Sequence, residues 1–187
     1  DGSLSAIYPT AISNAFMFDA GYVSSDSVWT GAGFWLKFDS AQTVPLPGTL
    51  NLQDTSEVRK GWNIIGSISD TIPTSSLGQD PPGIVLSSYF YFDSSYKTAT
   101  KLAPGVGYWV KVSSSGSLIH SYAGWPKQSV AAAPAGIPAG LNSLAVRDAV
   151  GRNQTLYFGA STDADLRLEL FELPPLPPEG TFDVRFA

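Results

Sequence analysis

The sequence predicts an all-β fold in which two small β units, related by an internal repeat, stand in tandem ahead of a β-sandwich unit. Charged residues make up only 14% of the 187-residue chain, so helices with solvated charged faces are not expected. Aromatic residues reach 12%, and 18 glycines and 14 prolines supply turns. This composition is typical of short strands that are joined by loops and bury a substantial core.

The internal repeat is the strongest signal in the chain. Residues 16–38 (FMFDAGYVSSDSVWTGAGFWLKF) align without a gap with residues 90–112 (FYFDSSYKTATKLAPGVGYWVKV), at an offset of 74. The two segments share eight identities, and most of these are aromatic residues or glycines. The identical pairs are Phe16/Phe90, Phe18/Phe92, Asp19/Asp93, Tyr22/Tyr96, Gly31/Gly105, Gly33/Gly107, Trp35/Trp109 and Lys37/Lys111.

Each copy of the repeat predicts an aromatic strand, a turn and a second strand. In the first copy the strand ends at Asp19, because an Asp side chain favours a turn. Gly31 and Gly33 then lead into Phe34–Phe38, and we expect both glycines to have positive φ. The alternation of apolar residues over 34–38 has the period of a β-strand. No helix follows the glycines, which argues against a phosphate-binding loop.

The second copy carries an additional strand upstream of the repeat. Residues 61–68 (GWNIIGSI) have the composition of a strand, and their counterpart in the first copy would lie before residue 1. The first unit is therefore expected to lack its leading strand. A sheet without that strand would have an open edge, to which a strand from another chain could pair.

The predicted domains are residues 1–50 and 58–128 for the two repeat units, 129–140 for a linker rich in Ala, Pro and Gly, and 141–187 for the C-terminal unit. In the last unit, 144–150 and 154–158 flank a Gly-Arg-Asn turn and predict a hairpin. Alternating patterns predict two more strands, at 166–173 and 181–186. Between them lies the Pro-Pro-Leu-Pro-Pro run of residues 174–178. Short strands at this spacing are typical of a β-sandwich.

Several motifs in this sequence resemble those of a known group of proteins. They are GWNIIGSIS, GFWLKFDSAQTV, GVGYWVKV, NQTLYFG and FELPPLPPEGTFDVRF. They resemble the C-terminal region of large modular secreted proteins of the Bacteroidota–Chlorobiota group, which are cargo of type IX secretion. In such proteins similar repeats precede an Ig-like module. The resemblance implies that 141–187 is an Ig-like unit and that the protein is extracellular or at the cell surface, but it implies no single activity.

The sequence contains little that could support catalysis. His120 is the only histidine, cysteine is absent, and neither a Gly-x-Ser-x-Gly nor a His-Glu-x-x-His motif is present. We therefore expect no enzymatic activity, no cofactor and no metal site. The net charge of −5 argues against a nucleic-acid partner, and the absence of a long apolar stretch argues against membrane insertion.

The repeat and its expected open edge favour a structural or adhesive protein that assembles with itself. We predict that a neighbouring subunit supplies the missing strand, and the candidate donor is 181–186, whose Phe182, Val184 and Phe186 would enter the open core. A contact of this kind does not close on itself and would build a fibre.

Two other functions are consistent with the sequence. A carbohydrate-binding module would stack sugar rings on Trp35 and Trp109, although large aromatic residues more often fill the cores of small β units. A passive spacer within a larger secreted protein would bind nothing. Ser27, Ser40 and Thr71 each follow an aspartate and precede an apolar residue, a pattern of O-glycosylation in exported proteins of the group that the sequence resembles.

Overall fold

The computed structural model of the chain describes residues 2–46, 48–123, 140–160 and 168–186. These residues form antiparallel strands, one four-residue helix and two short 3-10 turns. The predicted all-β fold is confirmed. The architecture is sandwich-like, because sheets pack face to face around three hydrophobic clusters.

The first repeat unit contains four strands and the helix. They are β1 (Gly2–Ser3), α1 (Leu4–Ile7), β2 (Ala15–Phe18), β3 (Tyr22–Ser25) and β4 (Ser27–Val28). β2 pairs with β3 and β1 pairs with β4. The predicted strand over 34–38 is present only as single bridges, Phe16 to Trp35 and Ala11 to Phe38.

The second unit is larger and contains nine strands. They are β5 (Gln53–Val58), β6 (Gly61–Ile65), β7 (Ile72–Pro73), β8 (Gly78–Asp80), β9 (Tyr89–Phe92), β10 (Tyr96–Ala99), β11 (Lys101–Leu102), β12 (Tyr108–Val112) and β13 (Gly116–Ser121), with a 3-10 turn at Thr74–Ser76. One sheet has the order β10-β9-β12-β6 and another β5-β13-β8, and β7 pairs with β11. β5 pairs with β13 along its whole length and begins before residue 58, where the sequence places the start of this unit.

The C-terminal part begins with the predicted hairpin, formed by β14 (Leu141–Arg147) and β15 (Asn153–Gly159). The strand predicted over 166–173 is wrong for Leu168–Phe171, which form a 3-10 turn. Residues 181–186 have no sheet partner among the described residues, so the strand expected there is not formed in the described part of the chain. Of the predicted linker, only Gly140 lies within the described residues, and the hairpin is the only sheet described between residues 141 and 186.

The internal repeat is reproduced in the strand registers. β2 pairs with β3 in the register in which β9 pairs with β10, with every residue displaced by 74. The bridge from Phe16 to Trp35 matches the one from Phe90 to Trp109. Backbone conformations also match, since positive φ occurs at the equivalent pairs Ala20/Ser94 and Gly31/Gly105. The sequence repeat is therefore a structural repeat.

The offset changes to 70 at the start of each unit. The amide of Leu4 donates to the carbonyl of Asp26, and the amide of Thr74 donates to the carbonyl of Thr100. Asp26 and Thr100 are 74 residues apart, whereas Leu4 and Thr74 are 70 apart. The second unit therefore has four more residues between this point and its first aromatic strand.

The two glycines of each repeat serve different purposes. Gly31 has a φ of 76° and Gly105 a φ of 75°, as predicted. For Gly33 the prediction of positive φ is wrong, and close approach explains the glycine instead. A Cβ at this position would lie 2.6 Å from the carbonyl oxygen of Ile65, because the bridge from Ala32 to Ile65 brings β6 against the first repeat.

The sheet β10-β9-β12-β6 is buried on both faces. Tyr108, Val110 and Val112 face the main core, which also contains residues of β5, β13 and the loops between them. Trp109 and Phe90 belong to a second cluster on the opposite face, where the first repeat packs. A sheet that is covered on both faces needs apolar residues at successive positions, and Tyr108–Val110 are all buried.

His120 lies in the interior on β13 and is fully buried. Its Nε2 is 3.0 Å from the Ser56 hydroxyl oxygen, and its Nδ1 has no hydrogen-bond partner among the described residues. Burial lowers the pKa of His120 to about 4, and the nearby Asp54 carboxylate offsets only part of this effect. The imidazole is therefore neutral in the folded protein at neutral pH.

We predict that replacing Gly33 by Ala destabilises the fold by roughly 1–3 kcal/mol, because the new methyl group would collide with the backbone of Ile65. Gly21 is a matched control in the same repeat, since a Cβ there has nothing within 4 Å. Urea unfolding of G33A and G21A measures both effects. Equal midpoints for the two variants would contradict the close approach of β6.

The low pKa of His120 predicts a stability that depends on pH. The pKa is about 4 in the folded state and about 6.5 when unfolded, so the unfolded chain takes up the proton first. Stability present above pH 6.5 is lost as the pH falls towards 4. Between pH 7.5 and pH 5 the wild type should lose about 2 kcal/mol more than H120Q, whose amide does not titrate. Parallel curves of unfolding free energy against pH would refute this.

Candidate functional site

The two repeats meet along a set of aromatic side chains that we call the seam. It consists of three equivalent pairs, Phe18/Phe92, Tyr22/Tyr96 and Trp35/Trp109. The ring centroids of Phe18 and Trp109 lie 4.9 Å apart, and those of Phe92 and Trp35 lie 5.1 Å apart, both edge to face. The two contacts are equivalent, because exchanging the two repeats converts one contact into the other. This reciprocity is characteristic of a two-fold symmetric interface, here formed within one chain.

The seam accounts for the two tryptophans that were candidates for stacking sugar rings. Trp109 is only 1% exposed, and its ring lies within 7 Å of the rings of Phe18, Tyr22 and Trp62. Trp35 is half-buried with its ring against Phe92. Trp109 therefore has no free face for a sugar, and the stacking prediction is corrected for this residue, whose ring fills the interior between the repeats. For Trp35, stacking on a sugar stays a prediction.

A proline-rich segment crosses the seam, and we call residues 172–178 the strap. The hydroxyl of Tyr22 donates to the carbonyl of Leu176 at 2.8 Å, and that of Tyr96 donates to the carbonyl of Pro175 at 2.8 Å. Equivalent tyrosines of the two repeats thus hold consecutive carbonyls. Pro174 is fully buried beside them. Burial raises the pKa of Tyr22 to about 12 and raises that of Tyr96 as well, so both hydroxyls remain donors.

The N-terminal end of the strap is fixed by Glu172. Its carboxylate accepts a hydrogen bond of 3.0 Å from the indole Nε1 of Trp62 and forms an ion pair with Lys111. Burial alone would raise the pKa of Glu172, but the hydrogen bonds from Lys111 and Trp62 outweigh it and lower the pKa below its ordinary value. Leu173 packs against the aromatic cluster between the repeats.

The predicted strand donor, residues 181–186, packs against its own C-terminal part. The guanidinium of Arg152 lies 5.2 Å from the ring centroid of Phe182. Arg185 pairs with Asp183 at 2.6 Å and donates to the carbonyl of Pro174 at 3.1 Å. The hydrogen bond to Asp183 raises the pKa of Arg185. Val184 is half-buried and Phe186 is 58% exposed, so the segment is only partly covered.

The first repeat has an open sheet edge at residues 34–38. The backbone groups of Trp35 and Lys37 point to one side. There they form hydrogen bonds with the backbone of Phe16 and Ile12 and with the Ser13 hydroxyl. On the other side, the backbone groups of Phe34, Leu36 and Phe38 have no hydrogen-bond partner among the described residues. In the second repeat the equivalent side of β12 is paired with β6 over five residues.

The apolar face next to this edge is only partly covered. Ala15, Val28 and Leu4 are buried, whereas Met17, Phe34 and Leu36 are half-buried. In the second repeat the corresponding face lies in the main core and is covered by β5, β13 and β8. Within the described residues, the first repeat has only α1 and the following Tyr8 in that place.

A cleft of about 930 Å³ lies between the edge strand β10 and the C-terminal hairpin. Aromatic side chains from both parts line it, among them Trp62 and Tyr157. Polar groups that could bond hydroxyls alternate with them, including Asn153, Gln154 and Thr98. Neither Trp35 nor Trp109 is part of this lining. Sequence reasoning missed the cleft because its two walls are about 60 residues apart in the chain.

The candidate O-glycosylation sites are all at the surface. Ser27, Ser40 and Thr71 are each exposed. The hydroxyl of Ser27 donates to the preceding Asp26 carboxylate at 3.0 Å, and the amide of Thr71 donates to the preceding Asp70 at 2.6 Å. The three hydroxyls are therefore within reach of a modifying enzyme, and whether they are modified stays a prediction.

Groups that could support chemistry do not gather at one place. Among the described residues there is no group of three or more side chains that could hold a metal ion. The equivalent aspartates Asp19 and Asp93 lie in equivalent turns, and they pair with Arg59 at 2.5 Å and Lys97 at 2.6 Å. These pairs are well exposed and contribute little to stability.

Comparison with known proteins gives no match to a family model, to a curated protein or to a solved structure. In the part of the chain that the structure describes, no helix is both long enough and apolar enough to cross a bilayer. The seam, the strap, the open edge and the cleft are therefore the observations from which a function can be argued.

Proposed function

We propose that this protein is a non-catalytic extracellular structural or adhesive module that assembles with itself through strand complementation. The observation that carries the proposal is the open edge at 34–38. The equivalent strand β12 is paired on both sides, whereas 34–38 is bonded on one side only among the described residues. Unpaired backbone groups beside a half-covered apolar face are the features that accept an added strand.

The donor that we propose is residues 181–186 of a neighbouring subunit. The segment has no assigned secondary structure and no sheet partner among the described residues. Six residues span roughly 20 Å as a strand, which is sufficient for an edge of five residues. Phe182, Val184 and Phe186 alternate, so all three side chains would point to the apolar face of the first repeat. The donor of one subunit would fill the edge of the next, and a head-to-tail contact that does not close propagates into a fibre.

We predict that deleting residues 181–187 abolishes assembly, because the incoming strand is removed. Replacing Leu36 by Pro should have the same effect from the other side, since proline removes an edge donor and obstructs pairing. Electron microscopy and light scattering of the purified chains measure the outcome. Fibres that persist in both variants would rule out the donor and the edge together.

A control variant distinguishes the role of the donor segment in assembly from that of its attachment to the strap. Arg185 ties the terminal segment to the carbonyl of Pro174, so R185Q loosens that attachment but keeps Phe182, Val184 and Phe186. R185Q should therefore assemble like the wild type. If R185Q loses assembly as completely as the deletion, the terminal strand is not the donor and the strap attachment is responsible.

A carbohydrate-binding module is a second proposal, and the cleft between β10 and the hairpin favours it. Exposed or half-buried aromatic rings beside amide and hydroxyl groups provide stacking and hydrogen bonding for a sugar. In this cleft, Trp62 and Tyr157 are the residues that would contact the ring. A chain that neither assembles nor binds a glycan would leave the passive spacer as the remaining function.

The carbohydrate proposal predicts that Y157A loses glycan binding without unfolding, because Tyr157 is 38% exposed and contributes only part of its ring to packing. The matched control is F158A on the same strand, since Phe158 is 48% exposed and does not line the cleft. A glycan array followed by calorimetry measures the affinity. Equal binding by the two variants, or none by the wild type, would exclude the cleft.

A further inference from the structure

The strap is held by chemistry suited to any extended, proline-rich segment. Tyr22 and Tyr96 bind backbone carbonyls, which every peptide offers, while Pro174 fills a buried position beside the seam. Proline-rich segments bind aromatic grooves in this way, since their extended backbone is preformed and its carbonyls point outward. Glu172 fixes the direction in which the segment binds, because its carboxylate contacts Trp62 and Lys111 at one end of the groove.

We infer that the surface to which the strap binds, beside the seam, is a recognition groove for proline-rich segments. Its occupant can be residues 172–178 of a second copy of the chain. The groove is the surface of the paired repeats that is formed by Tyr22, Tyr96, Trp62 and Lys111. The partner segment is extended, has a carboxylate at its N-terminal end and presents two consecutive carbonyls to the tyrosines. Exchange of the strap would join subunits through a surface distinct from the open edge.

The attachment of the C-terminal part supports exchange. Among the described residues, every hydrogen bond between residues 140–186 and the two repeats involves Glu172, Pro175 or Leu176. The hairpin contacts the strap region instead, through Tyr157 and Phe171, whose ring centroids lie 6.1 Å apart. The hydrogen bonds that join the C-terminal part to the repeats therefore come from a single segment, and a second copy can provide the same bonds.

Protein concentration decides between docking within one chain and docking between chains. Because the groove and the strap belong to the same chain, docking in cis has a fixed effective concentration, and protein at a sufficiently high concentration competes with it. We expect monomers with the strap docked in cis at low concentration and exchanged subunits at high concentration.

The first experiment uses the full-length chain with Leu173, Pro174 and Pro175 replaced by Gly, which disables the strap and leaves the groove unchanged. A labelled peptide covering residues 171–180 should bind this variant. Adding Y22F and Y96F should weaken the binding at least tenfold, because two hydrogen bonds are lost while both rings remain. The control peptide carries Asp at positions 173 and 174. A folded strap variant that does not bind the peptide would overturn the groove assignment.

The second experiment tests exchange between copies by complementation. The strap variant, with an intact groove, is mixed with Y22F/Y96F, which has an intact strap. Both variants also carry L36P, which blocks pairing at the open edge. We expect a 1:1 heterodimer by native mass spectrometry, with neither variant dimerising alone. A mixture that stays monomeric, although the peptide binds, would overturn exchange and confine the strap to its own chain.

A third measurement covers the case in which the strap variant does not fold. Two differently tagged populations of the wild type are mixed at high concentration and purified on one tag. Co-purification that is lost with Y22F/Y96F but kept with L36P supports strap exchange. Co-purification that is lost with L36P and kept with Y22F/Y96F overturns it and supports the open edge instead, so the two proposals can be distinguished.

Discussion

The whole arrangement depends on the sheet β10-β9-β12-β6 being buried on both faces. One face packs on the main core of the second repeat, and the other packs on the first repeat through Trp109 and Phe90. Each face needs its own set of large apolar side chains, so successive residues of β12 are aromatic or aliphatic. Without the first repeat, the face that carries Trp109 would be exposed and the sheet would present a large apolar patch.

This constraint makes the two repeats unequal although their registers match. The first repeat gives one of its faces to the seam, as the second does. On its other face it has α1 in the position where the second repeat has β5, β13 and β8. It therefore contributes Phe18 and Tyr22 to the cluster between the repeats and has only a small core of its own. The same inequality leaves the edge at 34–38 open in the described structure.

The sequence allowed the equivalence of the two repeats to be predicted, but neither the strands β3 and β10 nor the environment of the side chains. Eight identities without a gap place β2, β3, β9 and β10 in equivalent positions. At the offset of 70 only Ser5 and Ser75 are identical among residues 2–8, which is too little to detect. The alternation over 34–38 indicated a strand, but a pattern within one chain segment cannot show that a second repeat covers the face that carries Trp35. Residues 168–171 alternate in sequence like a strand but form a 3-10 turn.

The residues of the seam could therefore be identified from the sequence, but the role of their hydroxyl groups could not. Tyr22 and Tyr96 are among the eight identities, and phenylalanine would fill the same volume. The hydroxyl groups explain the tyrosines, because each donates to a carbonyl of the strap. A buried hydroxyl without a partner costs free energy, so a seam that lacks its strap is less stable than one that holds it. It follows that the groove favours occupation at all times, by the strap of its own chain or by that of a neighbour.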